Sequence, residues 1–135
     1  LGLALAQPDR RVLVVTGEGE LLMNMGALAT VGVIDPPNLS ILCVDNERYA
    51  ETGWQESHTA RGVDLAAIAT GAGIGSVRTV REESELEAAG AMLRTANSSA
   101  FVLLKVSIEQ MPKVKLSWDA VQHRLRFKAA LAATS

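Results

Sequence analysis

Apolar residues along this chain fall into two kinds of run. Val12 to Val15, Ile41 to Val44, Ser76 to Val80 and Phe101 to Val106 are short, rich in Val, Ile, Leu and Phe, and bounded by turn residues, which predicts strands, the last of them buried. Between them the apolar positions recur at helical spacing. Glu20 to Thr30 predicts one helix, and Asp64 to Ala69 a second with Asp64 as its cap and Gly71 as its stop. Ser84-Glu85-Leu86-Glu87 has the capping-box form and predicts a helix running to about Thr95. A last helix is expected from near Ser117, and Leu1 to Ala6 reads as the final turns of a helix ended by Gln7-Pro8-Asp9.

Strands that alternate with helices predict an α/β fold: a three-layer, doubly wound parallel sheet with helices on both faces and ligands beyond the carboxyl ends of the strands. The chain has 135 residues, 48% of them hydrophobic and 21% charged, enough for one core and too few for two, so residues 1–135 are expected to form a single domain. No cap or turn precedes Leu1, and the expectation is a domain truncated at its N-terminus. Thirteen basic residues scattered among fifteen acids, a net charge of −2, do not make the concentrated basic face that nucleic acid requires. His123, Arg124, Arg126 and Lys128 form the one basic cluster, read as the solvated face of the last helix. No apolar run approaches the ~20 residues that span a bilayer, so no membrane partner is expected, and the default setting is cytoplasmic. The single cysteine, Cys43, lies within a strand pattern; it excludes an internal disulfide and reads as core filling.

Gly17-Glu18-Gly19 closes the first apolar run, and Asn46 closes the second after one helix and one strand. Two strand ends thus present oxygen ligands, with a helix starting at the first. Glycines there allow positive φ and close approach of backbone N–H groups, and the positive end of the helix dipole favours an anion such as a diphosphate. A polyanion held by an acidic chain needs a cation, and Mg²⁺ takes the carboxylate, amide and carbonyl oxygens that Glu18, Asn46 and a nearby loop can supply. Gly71-Ala72-Gly73-Ile74-Gly75 follows a helix and lacks the Lys-Ser/Thr of a phosphate loop, so it reads as a helix stop and turn. Met23 and Met25 read as helix packing.

The segments GEGELLMNMGALATVG (17–32) and NLSILCVDNERYAETG (38–53) resemble the diphosphate-binding domain of thiamine-diphosphate-dependent enzymes, whose signature is Gly-Asp-Gly, roughly thirty residues, then Asn-Asn. Within that superfamily the chain is most similar to the 2-oxoacid decarboxylases acting on phosphonopyruvate and sulfopyruvate. The Tyr49-x-x-Thr52-Gly53-x-Gln55 stretch and the closing Arg126-Phe127-x-x-x-Leu131 helix share in the likeness, which covers nearly the whole chain. The resemblance implies thiamine diphosphate and Mg²⁺ as cofactors, with Glu18, Asn46 and the backbone carbonyl of Arg48 on the metal. Gly19 and Glu20 would hold the diphosphate through backbone N–H groups, Gly17 and Tyr49 would line the cofactor, and Met23 would reach the thiazolium. Two residues depart from the signature. Glu18 stands for Asp, which extends the carboxylate by more than ~1 Å and requires the backbone to retreat; Asp45 stands for the first Asn.

Substrate chemistry is expected on the polar loop from Tyr49 to Thr59, where Thr52, Gln55 and His58 are candidates to bind a substrate anion or move a proton. The other reading of that loop is a solvated lid. The resemblance further implies decarboxylation of a small 2-oxoacid, and a partner pyrimidine-binding domain or subunit that supplies the activating glutamate, in a homo- or hetero-oligomer. Three other readings stay open. The chain could serve an acetolactate-synthase-like carboligase or a 2-oxoacid oxidoreductase, it could be a structural or regulatory subunit with a degraded metal site, or it could be a flavodoxin-like nucleotide binder.

Overall fold

The computed structural model describes residues 1–109 and 117–133. In chain order the elements are α1 (Gly2–Ala6), β1 (Val12–Gly17), α2 (Glu18–Met23), α3 (Gly26–Ile34), β2 (Leu39–Asp45), β3 (Arg48–Tyr49), β4 (Gln55–Glu56), a 3₁₀ turn (His58–Arg61), α4 (Leu65–Gly71), β5 (Ser76–Val80), a second 3₁₀ turn (Glu83–Glu85), α5 (Leu86–Thr95), β6 (Ala100–Lys105) and α6 (Ala120–Ala133). β1, β2, β6 and β5 lie side by side in that order, all parallel, while β3 and β4 form a small antiparallel hairpin.

This order explains the layers. Parallel crossovers are right-handed, so connections that run in opposite directions across a sheet place their helices on opposite faces. From β1 to β2 and from β2 to β5 the chain moves one way, and it returns from β5 to β6. Accordingly α3 and α4 supply Leu28, Val31, Leu65, Ala66 and Ala69 to one core with Leu39, Ile41, Cys43, Phe101 and Leu103, while α5 supplies Ala89 to the other with Val80 and Val102. The predicted α/β sheet with helices on both faces is what the chain forms. β2 and β6 are buried on both faces, as their unbroken apolar runs require. β1 is an edge strand, and Leu13 and Val15 on its α5 side remain exposed.

Several expectations need correction. The single helix over Glu20 to Thr30 is two helices, broken at Asn24, whose φ is −144°. Asn is a weak helix former that competes for the backbone, and Gly26 follows it. The break leaves Met23 81% exposed, so it does not pack in the core, whereas Met25 does lie against it. The capping box forms two residues early: Glu85 Oε2 accepts the N–H of Arg81 at 2.8 Å and of Glu82 at 3.0 Å, so Ser84 is not the cap. α4 does end at Gly71 as expected, and the left-handed residue of the turn that follows is Gly73, with φ +94°. Asp64 caps α4 as expected, its Oδ1 accepting the N–H of Ala66 and of Ala67 at 2.9 and 3.1 Å. The last helix starts at Ala120, and the side chains of His123, Arg124, Arg126 and Lys128 on it are exposed. Among the described residues no helix is long and apolar enough to cross a membrane.

Cys43 lies wholly buried in β2, and burial first, then the charges of Asp45, Glu18 and Glu20, push its thiol up to about 12. Thiolate is the reactive form, so the native chain is expected to resist alkylation at pH 8 and to react once unfolded in urea. Mass spectrometry after a timed iodoacetamide pulse checks this, and rapid native labelling would contradict the burial.

Candidate functional site

β1 and β2 end next to each other, Gly17 opposite Val44, and the residues that follow them line one cleft of about 540 Å³. Gly17, Glu18, Gly19, Glu20 and Met23 form one wall, and Asn46, Arg48, Tyr49 and Thr52 another. Val44 and Val106 add apolar surface, and Glu51, Ser107 and Glu109 complete the rim. Nine of the predicted site residues therefore meet at the carboxyl end of the sheet, where a doubly wound fold binds its ligands.

Glu18 is the unusual residue of this cleft. It is the first residue of α2, only 3% exposed, and its Oε1 has no hydrogen-bond partner. Burying a carboxylate oxygen without a partner costs several kcal/mol unless a cation or donor completes it. Glu18 lines the same cleft as Asn46. Among the described residues no three His, Cys, Asp or Glu side chains gather in a metal cage, so any ion here draws on the amide and backbone oxygens as well as one carboxylate.

The glycines act differently from expectation. Gly17 has φ −84° and Gly19 lies in the first turn of α2, so neither uses the left-handed region. What excludes a side chain at Gly19 is the Tyr49 ring, which would stand 2.8 Å from a Cβ there. Glu20 Oε2 accepts the Gly17 N–H at 3.1 Å and the Thr16 hydroxyl at 2.9 Å. Gly17, at the cap, has no side chain to return the bond, so the first N–H groups of α2 remain open toward the cleft.

Across the cleft, Asn46 Oδ1 accepts the Arg48 N–H at 3.0 Å, a turn that leaves the oxygen a second lone pair. Arg48 is held away from solvent by Glu47 O at 3.0 Å and, more loosely, by Glu56 at 3.7 Å. Thr52 lines the cleft, and its hydroxyl bonds Tyr49 O at 3.2 Å and Gln55 Oε1 at 3.1 Å. Gln55 and His58 are exposed and stand outside the lining; His58 Nδ1 meets the Tyr49 hydroxyl at 3.1 Å. Each of the two is thus one hydrogen bond removed from a residue of the cleft.

Lys105 escaped the sequence reading. Its ammonium, at the end of β6, bonds Asp45 Oδ2 at 2.9 Å and Glu47 Oε1. Burial pulls its pKa down, but the bonds to Glu47 and Asp45 outweigh it and leave the group above its ordinary value. A lysine that interrupts an otherwise buried apolar strand was the signal.

Residues 1–106 match the thiamine pyrophosphate enzyme C-terminal TPP-binding domain, and the chain belongs to that family. It is 42% identical over 88 residues to the sulfopyruvate decarboxylase subunit beta of Methanocaldococcus jannaschii, an alignment covering 64% of this chain and 46% of the relative. It is 35% identical over 129 residues to the phosphonopyruvate decarboxylase of Streptomyces viridochromogenes, covering 93% of this chain and 32% of that one. The chain thus spans less than half the length of either relative. The fold is similar to that of a thiamine diphosphate-dependent 4-hydroxybenzoylformate decarboxylase from Rhodococcus jostii RHA1, with a TM-score of 0.68 and 19% identity over 82% of this chain and 22% of that one.

Proposed function

We propose that this chain is the diphosphate- and metal-binding part of a 2-oxoacid decarboxylase whose substrate is a small oxoacid carrying a phosphonate or sulfonate group. The observation that carries the reading is the buried Glu18 oxygen without a partner, set in the same cleft as Asn46 at the mouth of α2. Family membership points to the cofactor, and the names of the relatives point to the substrate class.

Glu18, Asn46 and the Arg48 carbonyl hold Mg²⁺ in this reading, and the N–H groups of Gly19 and Glu20 bind the diphosphate at the positive end of α2. Tyr49, packed on the bare Gly19 backbone, closes α2 against the hairpin, and Met23, Val44 and Val106 give the apolar surface a thiazolium ring needs. Thiamine diphosphate, when bound, supplies the electron sink for loss of carbon dioxide. Thr52, which lines the cleft, is the chain's own candidate to orient a substrate oxygen or pass a proton, with Gln55 bonded to its hydroxyl and His58 bonded to Tyr49. A pyrimidine-binding domain or subunit provides the activating glutamate, so the cofactor bridges two parts of the assembly.

Titration calorimetry of the chain with thiamine diphosphate is expected to give saturable heat with Mg²⁺ present and none in EDTA. Binding indifferent to EDTA would remove the metal from the reading. Steady decarboxylation of sulfopyruvate or phosphonopyruvate by the chain alone would refute the shared site.

A further inference from the structure

Asn46 stands between two acids that share one ammonium. Asp45, wholly buried at the end of β2, lies opposite Lys105 in the parallel register, and Lys105 Nζ bonds both its Oδ2, at 2.9 Å, and Glu47 Oε1. The other Asp45 oxygen accepts the Glu47 N–H at 2.9 Å and the Thr59 hydroxyl at 2.8 Å; that hydroxyl also meets buried Ser57 Oγ at 3.0 Å. Glu47 itself has φ +62°, a left-handed conformation that a non-glycine residue keeps only where its surroundings hold it. Here they do. Its N–H goes to Asp45, its carbonyl accepts from Ser57 N and Arg48 Nη1, both at 3.0 Å, and its carboxylate goes to Lys105.

We propose that Lys105 is the positioning residue of the metal corner: by gripping the acids on both sides of Asn46 it holds the strained turn that presents the Asn46 amide and the Arg48 carbonyl to a divalent cation. The inference rests on the proposed cofactor reading for its cation, and on geometry alone for the turn. Mg²⁺ demands near-octahedral ligands and tolerates little displacement, so a turn that relaxes by a fraction of an ångström weakens the site even though every ligand is still present. Lys105 touches no ligand position directly. Its effect passes through residues 45 and 47, as partners behind first ligands act in metal sites generally, where their loss costs about 10- to 100-fold in affinity.

Lys105→Met removes the ammonium and keeps the stem. It also strands a buried carboxylate, so Lys105→Met/Asp45→Asn is made beside it, and Lys105→Arg as the conservative variant. Two quantities are read: hydrogen exchange at the Glu47 and Arg48 amides in the cofactor-free chain, and the Mg²⁺ concentration for half-maximal binding of thiamine diphosphate. The expected result is faster exchange at those two amides and a Mg²⁺ midpoint about 10-fold higher or more in the Met variants, with part of both recovered in Lys105→Arg. Folded Met variants with wild-type exchange and an unchanged midpoint overturn the proposal, as does a lowered melting temperature with the midpoint unmoved. If the wild-type chain binds no cofactor with Mg²⁺, the cofactor reading fails and the cation part of the proposal with it; exchange at Glu47 and Arg48 then decides separately whether Lys105 holds the turn.

Discussion

Glu18→Gln is expected to weaken Mg²⁺-dependent binding of thiamine diphosphate by about 100-fold or more, roughly 2.7 kcal/mol, while the melting temperature of the cofactor-free chain stays level or rises. The two halves of that result have one cause. Glu18 is buried with Oε1 unpartnered, so the free chain bears the cost of an unmatched charge that a cation would offset. The neutral amide lessens that cost and loses the ligand. A glutamate kept for structural reasons gives the reverse pattern: a lowered melting temperature and little change in binding. Glu18→Asp separates a degraded site from an adapted one. In an adapted site the start of α2 suits the longer side chain, and Asp withdraws the carboxylate by more than ~1 Å, so weaker binding is expected. Stronger binding in Glu18→Asp would mean that the site is eroded. Calorimetry with and without Mg²⁺, beside thermal melts of the apo chain, reads both quantities.

Gly32→Ala is expected to destabilise the chain by about 3 kcal/mol or more, against the usual direction for a helix interior, where alanine is favoured over glycine by about 1 kcal/mol. Gly32 lies in α3, and a Cβ there would stand 2.0 Å from the Ala72 carbonyl oxygen and 2.9 Å from its carbon. Both obstacles are backbone, so no side-chain rotation relieves the overlap. Either α3 moves off the end of α4 or the turn through Gly73 is redrawn, and each opens the core that holds Leu28, Val31, Leu65 and Ala69. Gly90→Ala in α5 is the control. Its Cβ meets only the guanidinium end of Arg94 at 3.2 Å, a group free to swing away, and the expected change is neutral to about 1 kcal/mol stabilising. Urea unfolding of the two variants compares them directly, and equal effects would disprove the close approach of α3 to α4.

The sheet was legible because burial on both faces leaves a local mark. The run Phe101 to Val106 marks a buried strand, and the strand ends carrying Glu18 and Asn46 meet in one cleft as their positions suggested. What depended on distant partners was not legible. The need for glycine at 19 comes from the ring of Tyr49, thirty positions along the chain, and not from a backbone angle at Gly19 itself. The helix break at Asn24 turned Met23 from a supposed core residue into part of the cleft wall. Lys105 read as an interruption of a strand, since nothing near it in sequence reveals that Asp45 and Glu47 stand beside it. Local pattern reports which residues leave water, while partnership across the fold has to be seen.

The sealed sulfur of Cys43 makes this chain convenient for fluorescence work. Because the buried native thiol is expected to resist labelling, a cysteine introduced at exposed Glu51 on the cleft rim would carry a dye at one defined place with no background residue to delete first. Emission from that dye then reports, in real time and without turnover, each molecule that enters or leaves beside it.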